Sequence, residues 1–204
     1  MIRIWEIPFS TNVERVTLAA AYKGLALEHI AVMPADRSEV EQLSGQPLVP
    51  VIEHDGRVVV DSTEILHYLE EHFPEPALFP RDSARRAELE VFLDWFNRVW
   101  KRPPNAIEAE LGRDQPDEAA IQALSAEMRR SLDLFEQLLA GRDYLFGALS
   151  AADCAAFPFL KYALLYEEED EDLFHRILRD HLPLRADHVR LTAWIQRVDA
   201  LPRA

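Results

Sequence analysis

The sequence predicts a two-part chain, a small α/β domain of βαβ–ββα order followed by an all-α helical domain. Three observations carry that prediction. Strand-like and helix-like stretches alternate as far as Phe73, prolines cluster at positions 74, 76 and 80, and no convincing strand pattern appears beyond them. The expected bounds are residues 1–76 for the first domain, 77–84 for a linker and 85–204 for the helical domain.

Each element has its own justification. Residues 1–7 alternate, with Ile2 and Ile4 on one side and Arg3 and Trp5 on the other, as a half-buried strand would. After the polar stretch ending at Asn12, Val13, Val16 and Ala20 fall at helical spacing and Gly24 supplies a C-terminal stop. Leu27 to Met33 reads as a second strand, followed by a polar loop or short helix through Gly45. Val49 to Ile52 and Val58 to Val60 form a hairpin about Glu53-His54-Asp55-Gly56. From Ser62 to Phe73 a helix places Ile65, Leu66, Leu69 and Phe73 on one stripe. Helical periodicity then recurs over 83–100, 117–140, 151–166 and 187–199, and Pro103-Pro104 either breaks the first of these or separates two helices.

Composition narrows the function classes. With 204 residues, 49% hydrophobic and 28% charged, the chain has ample material for a core. The net charge is −14, of which residues 1–80 hold −8 (5 Lys+Arg against 13 Asp+Glu), and a field of that sign repels nucleic acid and anionic lipid. No apolar run approaches the roughly 20 residues that span a bilayer. Residues 1–6 lack the pattern of a secretory leader, and the single cysteine, Cys154, rules out an intrachain disulfide, so a cytoplasmic protein is expected. The histidines form no ligand-spaced cluster, so no metal is expected. The acidic run from Glu167 to Asp172 reads as a solvated helix edge or loop rather than a cation site.

The most informative stretch is Val49-Pro50-Val51-Ile52, then Asp55-Gly56, then Asp61-Ser62 at a helix start. Proline inside a strand pattern belongs at an edge, a bulge or a bend, and an X–Pro bond there is a candidate for the cis isomer. Free backbone groups in extended geometry next to it can grip a peptide-like ligand as an added strand. Ser62 at a helix N-terminus offers a hydroxyl and unpaired N–H groups to a carboxylate, while Asp61 can accept from an ammonium group. In the plainer alternative Asp61 or Ser62 simply caps the helix.

The element order, with proline entering the third strand, resembles the thioredoxin fold. The wider pattern resembles the cytosolic glutathione transferase family across nearly the whole chain. It is carried by Ser10 with Arg15-Val16, Lys23-Gly24, Val49-Pro50-Val51-Ile52, Asp61-Ser62 and Tyr68-Leu69, and in the second domain by Tyr144-Leu145-Phe146-Gly147 with Ser150-Ala151-Ala152-Asp153. The resemblance implies that Asp61 and Ser62 hold the γ-glutamyl end of glutathione and that the Val49 backbone, before Pro50, pairs with its cysteinyl part. Gln46 and Arg37 are offered for the glycyl carboxylate, the alternative for each being an ordinary exposed loop residue. Ser10 takes the catalytic position as a hydrogen-bond donor to the sulfur, with Thr11 and Asn12 in reserve, or all three compete merely to cap the helix.

No cysteine occurs in the first domain, so thiol–disulfide exchange is not expected, and Cys154 reads as a packing residue. Ser150 and Asp153 fit a capping box whose role is folding. The electrophile pocket implied by the resemblance would draw on Phe9, Arg98, Trp100 and Tyr166, whereas Phe92, Trp95, Phe96 and Val99 are spaced as a core stripe. The expected activity is activation of the glutathione thiol for attack on a small hydrophobic electrophile or a peroxide. Glutathione would serve as co-substrate, with no tightly bound cofactor, in a homodimer. The alternative is a non-catalytic glutathione-binding or interaction module on the same fold.

Overall fold

The computed structural model describes all residues 1–204. The chain divides into two compact units, residues 1–86 together with 201–204, and residues 87–200.

The first unit is built on a four-stranded sheet of order β2-β1-β3-β4, from β1 (Ile2–Glu6), β2 (Leu27–Ala31), β3 (Val51–His54) and β4 (Arg57–Val60). β1 runs parallel to β2 and antiparallel to β3, which pairs antiparallel with β4. Three helices accompany it: α1 (Thr11–Tyr22), α2 (Ser38–Ser44) and α3 (Ser62–His72). The βαβ–ββα order therefore stands. β1 differs from its expected half-buried state in one respect, because Trp5 is buried along with Ile2 and Ile4. Its indole N–H donates to Glu39 of α2 at 2.8 Å, so the second face of the strand is also covered. β2 is shorter than expected and ends at Ala31.

Local signals explain the boundaries. Gly24 takes φ +67°, its N–H bonds to Ala21 and the Leu25 N–H to Ala20, which is the double closure of a Schellman end. The hairpin turns on Asp55 (φ +51°) and Gly56 (φ +79°), a two-residue loop with both central residues left-handed. Lys23 caps α1 and buries its side chain fully. Its ammonium donates to Glu70 at 2.8 Å and to the carbonyls of Phe73 and Pro76 at 2.7 and 2.9 Å. A charge with no solvent is tolerable only when it is so surrounded by acceptors. It pins the end of α3 to the proline-rich connection that follows.

In the second unit, α4 (Ser83–Trp95) crosses the boundary between the units and runs into a π-helical turn over Phe96–Trp100. α5 (Arg102–Leu111) follows, with Pro103 and Pro104 in its first turn, where no intrahelical N–H is required. The proline pair thus separates two helices. α6 (Glu118–Leu138), α7 (Ala151–Leu160), α8 (Leu173–His181) and α9 (Val189–Asp199) complete the unit. α7 stops six residues before the expected 166, passing into a 3-10 turn over Lys161–Ala163. α8 lies outside the stretches over which the sequence predicts helices.

All ten residues of α7 are buried, Cys154 among them. Phe92, Phe96, Trp100, Phe135 and Phe159 pack around one another, with the Phe96 and Trp100 rings stacked at 4.5 Å. Asp153, fully buried, closes the capping box expected with Ser150. One carboxylate oxygen accepts from the N–H of Leu145 and the indole of Trp194, both at 2.9 Å. The other accepts from the Ser150 N–H (3.0 Å) and hydroxyl (2.9 Å). Burial pushes this carboxyl up to about 6, against the pull of those four donors.

The acidic run is exposed over Glu167–Glu169, but Asp170 is buried and accepts from the Tyr162 hydroxyl at 2.8 Å and pairs with His175 Nδ1 at 2.8 Å. No helix is long and apolar enough to cross a membrane.

Candidate active site

The site is assembled where two helices of the first unit begin. Phe9, at φ +59°, occupies the left-handed region and turns the chain from β1 into α1, leaving its ring partly exposed. Ser10 follows as the N-cap, and its Oγ accepts from the Val13 N–H at 3.3 Å. That bond uses a lone pair only. A hydroxyl that caps a helix keeps its proton to donate elsewhere, so capping and donation to a sulfur are compatible at Ser10. Of the two reserves, Thr11 is buried, and Asn12 Oδ1 lies 3.5 Å from the Ser62 hydroxyl.

The second helix start is α3. Asp61 is its N-cap, with φ +67°, and Oδ1 accepts from the N–H groups of Thr63 (2.8 Å) and Glu64 (3.3 Å). The capping alternative therefore holds for Asp61. Ser62 does something else: its Oγ accepts from Arg15 Nη1 at 3.2 Å. Arg15 is 1% exposed, so a guanidinium lies beneath the N-terminus of α3. A cation added to the positive end of a helix favours an anion at that point, in a chain whose overall charge is strongly negative. Asn12 and Arg15 from α1 and Ser62 from α3 thus form one polar connection between the two helix starts.

Arg15 marks the register of α1 in the sequence, but nothing in the pattern signals it as a contributor to the site. Periodicity gives no such signal, since an arginine beside Val13 and Val16 reads as a solvent-facing residue.

The loop before β3 carries the remaining expected residues. The Val49–Pro50 bond is cis, as expected of a proline at this bend, and so is Glu75–Pro76 in the proline-rich connection. Gln46 turns its amide inward, donating to Ser44 Oγ (3.1 Å) and the Leu48 carbonyl (2.9 Å) and accepting from the Leu48 N–H (2.6 Å). Arg37 reaches the carbonyls of Pro34 (3.4 Å) and Pro47 (3.3 Å). Both side chains thus brace the loop that delivers Val49.

The three remaining expected residues lie in the second unit. Arg98 is exposed and paired with Asp94 at 2.6 Å. Trp100 is buried in the aromatic core, its indole donating to Ser131 at 2.9 Å. The Tyr166 hydroxyl donates to the Asp170 carbonyl at 2.5 Å, and Arg179 lies over its ring. No group of three or more His, Cys, Asp or Glu side chains converges as a metal site.

Residues 5–77 match the family model for the glutathione S-transferase N-terminal domain, and residues 118–197 that for the C-terminal domain. Glutathione transferase omega-1 of Caenorhabditis elegans is 25% identical over 199 residues, covering 96% of this chain and 76% of that protein. FtsZ-localized protein A of Caulobacter vibrioides is 32% identical over 166 residues, covering 75% and 73%. Among solved structures, the β-etherase LigF of Sphingobium sp. superposes with a TM-score of 0.81 at 22% identity, covering 98% of this chain and 96% of that one. A glutathione S-transferase from Rhodospirillum rubrum gives 0.74 at 27%, covering 99% and 89%. With both domain models matched in order over a thioredoxin-like sheet and a helical second unit, the chain belongs to the cytosolic glutathione transferase family, whose chemistry is glutathione-dependent transfer.

Proposed function

We propose that this protein activates the thiol of glutathione through Ser10 and directs it at a small hydrophobic electrophile or a peroxide. The observation that carries the reading is the polar connection Asn12–Ser62–Arg15, which joins the starts of α1 and α3. A zwitterionic γ-glutamyl group at α3 would meet the Ser62 hydroxyl, the positive helix end and Arg15 with its carboxylate, and Asp61 with its ammonium. The same connection fixes α1, whose N-cap hydroxyl donates to the sulfur. The thiol gives its proton to solvent, and the Ser10 O–H hydrogen bond and the α1 dipole stabilise the thiolate. Its sulfur bonds to the electrophilic carbon as the leaving group departs with the bonding pair; with a peroxide it attacks one oxygen, the O–O bond breaks to release an alcohol or water, and a second glutathione converts the sulfenic acid to the disulfide. Ser10 is not the nucleophile.

In this reading the Val49 backbone pairs with the cysteinyl part. Gln46 and Arg37 act chiefly by bracing its loop, with the glycyl carboxylate close to them. Phe9, exposed next to Ser10, is the first-unit residue assigned to the electrophile. We also propose a cytoplasmic homodimer; sedimentation showing only a 23.4 kDa species would remove the dimer.

Glutathione affinity in Ser62→Ala and Asp61→Asn tests the assignment. Each substitution removes a charge-assisted bond worth roughly 1.5–3 kcal/mol, so affinity should fall by about tenfold or more. Unchanged affinity in both would reject it.

A second reading is a glutathione-binding interaction module without turnover. What favours it is that one relative, at 32% identity, is named for localisation with FtsZ rather than for a transferase activity. Tight glutathione binding with no depression of the thiol pKa would select that reading.

A further inference from the structure

Residues 201–204 fold back onto α1 as part of the first unit. The Ala204 N–H donates to the Thr17 carbonyl at 3.0 Å. Arg203 places Nε and Nη2 on the same carboxylate oxygen of Glu14, at 3.2 and 2.9 Å, and braces itself with a bond from Nη1 to the Leu201 carbonyl. Both partners of the ion pair are partly buried, with side chains 26% and 16% exposed, so solvent screens it less than an open surface pair.

The position of Glu14 gives this pair a consequence. Its N–H bonds to the Ser10 carbonyl at 3.0 Å, so it stands one helical turn above the N-cap. Residues at that spacing are about 5–6 Å apart at their Cβ atoms. A carboxylate there suits the helix itself, because it lies in the positively polarised first turn. It opposes a thiolate held at the same end by Ser10. Arg15, one residue further on, points its guanidinium to Ser62, towards the start of α3. The guanidinium on Glu14 itself arrives from the other end of the sequence.

We propose that Arg203 is a positioning residue for thiol activation, neutralising Glu14 so that the start of α1 remains favourable to a thiolate. The inference rests on the Ser10 reading of the site and adds to it a residue 193 positions away in the chain. Arg203 touches neither thiol nor electrophile; it acts through the charge of Glu14.

The test is the ultraviolet thiolate absorbance of bound glutathione as a function of pH, in wild type, Arg203→Gln, Arg203→Lys, Glu14→Gln and the Glu14→Gln/Arg203→Gln double variant. Arg203→Gln should raise the midpoint by about 0.5, leaving roughly threefold less thiolate below it. Arg203→Lys, which keeps the charge, should hold the midpoint near wild type. Glu14→Gln should lower it, and the double variant should return it to wild type. An unmoved midpoint in Arg203→Gln would overturn the proposal. So would a double variant whose midpoint stays as high as that of Arg203→Gln, since that would make the segment merely structural. Ser10→Ala separates the two ideas: if it leaves the midpoint unchanged, the serine reading fails, while the Arg203 comparison is still read from its own difference. Absence of bound glutathione would overturn both.

Discussion

Replacing Asp153 with alanine should be among the most damaging single changes to the second unit, and its cost can be worked from the donors it leaves behind. Four hydrogen bonds end on this carboxylate, from the N–H groups of Leu145 and Ser150, the Ser150 hydroxyl and the Trp194 indole. The hydroxyl can rotate to a new acceptor, but three N–H donors cannot. Each buried unsatisfied donor costs roughly 1–3 kcal/mol, and such terms do not add fully, so a loss of about 4 kcal/mol is expected at neutral pH. That is a large fraction of the stability of an ordinary protein, about 5–15 kcal/mol.

The pH dependence has a definite sign. The folded-state pKa of Asp153 is raised from 3.8 to about 6, so its contribution is fully present below the unfolded value and is lost as pH rises through about 6. The gap of about 2 corresponds to about 3 kcal/mol. The penalty for Asp153→Ala should therefore grow as pH falls from 7 towards 4. Urea unfolding of wild type and variant, followed by circular dichroism at several pH values, measures both quantities. A cost below about 1 kcal/mol at pH 7, or a cost that shrinks on acidification, would refute the reasoning.

Two further predictions concern buried charge. Lys23→Met should destabilise by roughly 3–5 kcal/mol, because it removes the ammonium shared by Glu70 and two carbonyls. Adding Glu70→Gln should recover part of that loss in a thermal-unfolding cycle, and full additivity would contradict the pairing. Burial pushes the Asp170 carboxyl up, but the bonds from His175 and Tyr162 outweigh it and leave it below 3.8. Its stabilisation is therefore present above that value and lost as pH falls through the depressed one, so Asp170→Asn should flatten the acid limb of the stability curve. An unchanged acid limb would count against the cluster.

Much of the first unit was legible because its signals are local. Gly24 ends α1, Asp55-Gly56 turns the hairpin, and proline at position 50 marks the bend, each through backbone conformation that neighbouring residues do not override. The parts that escaped depend on side chains meeting across the chain. Trp5 is buried with its indole bonded to Glu39 of α2, and Arg15 reaches Ser62 only once α1 and α3 lie together. α8 was missed because an acidic run precedes it and charges interrupt its apolar positions, yet buried Asp170 ties that run to Tyr162 and His175. The short π-helical stretch before Pro103 likewise has no simple sequence period. Within the site, the positions of Asp61 and Ser62 were legible, but the division of labour between them was not. One carboxylate caps α3 while the neighbouring hydroxyl turns to a buried arginine.

The central claim is that the Ser10 hydroxyl, while capping α1, donates to the sulfur of glutathione. It is tested most directly by titrating the thiolate absorbance of bound glutathione in wild type and Ser10→Ala. The account predicts a midpoint well below the free-thiol value of about 8.5 in wild type, moved back towards it in the variant with glutathione still bound. A midpoint that is the same in both proteins would contradict it.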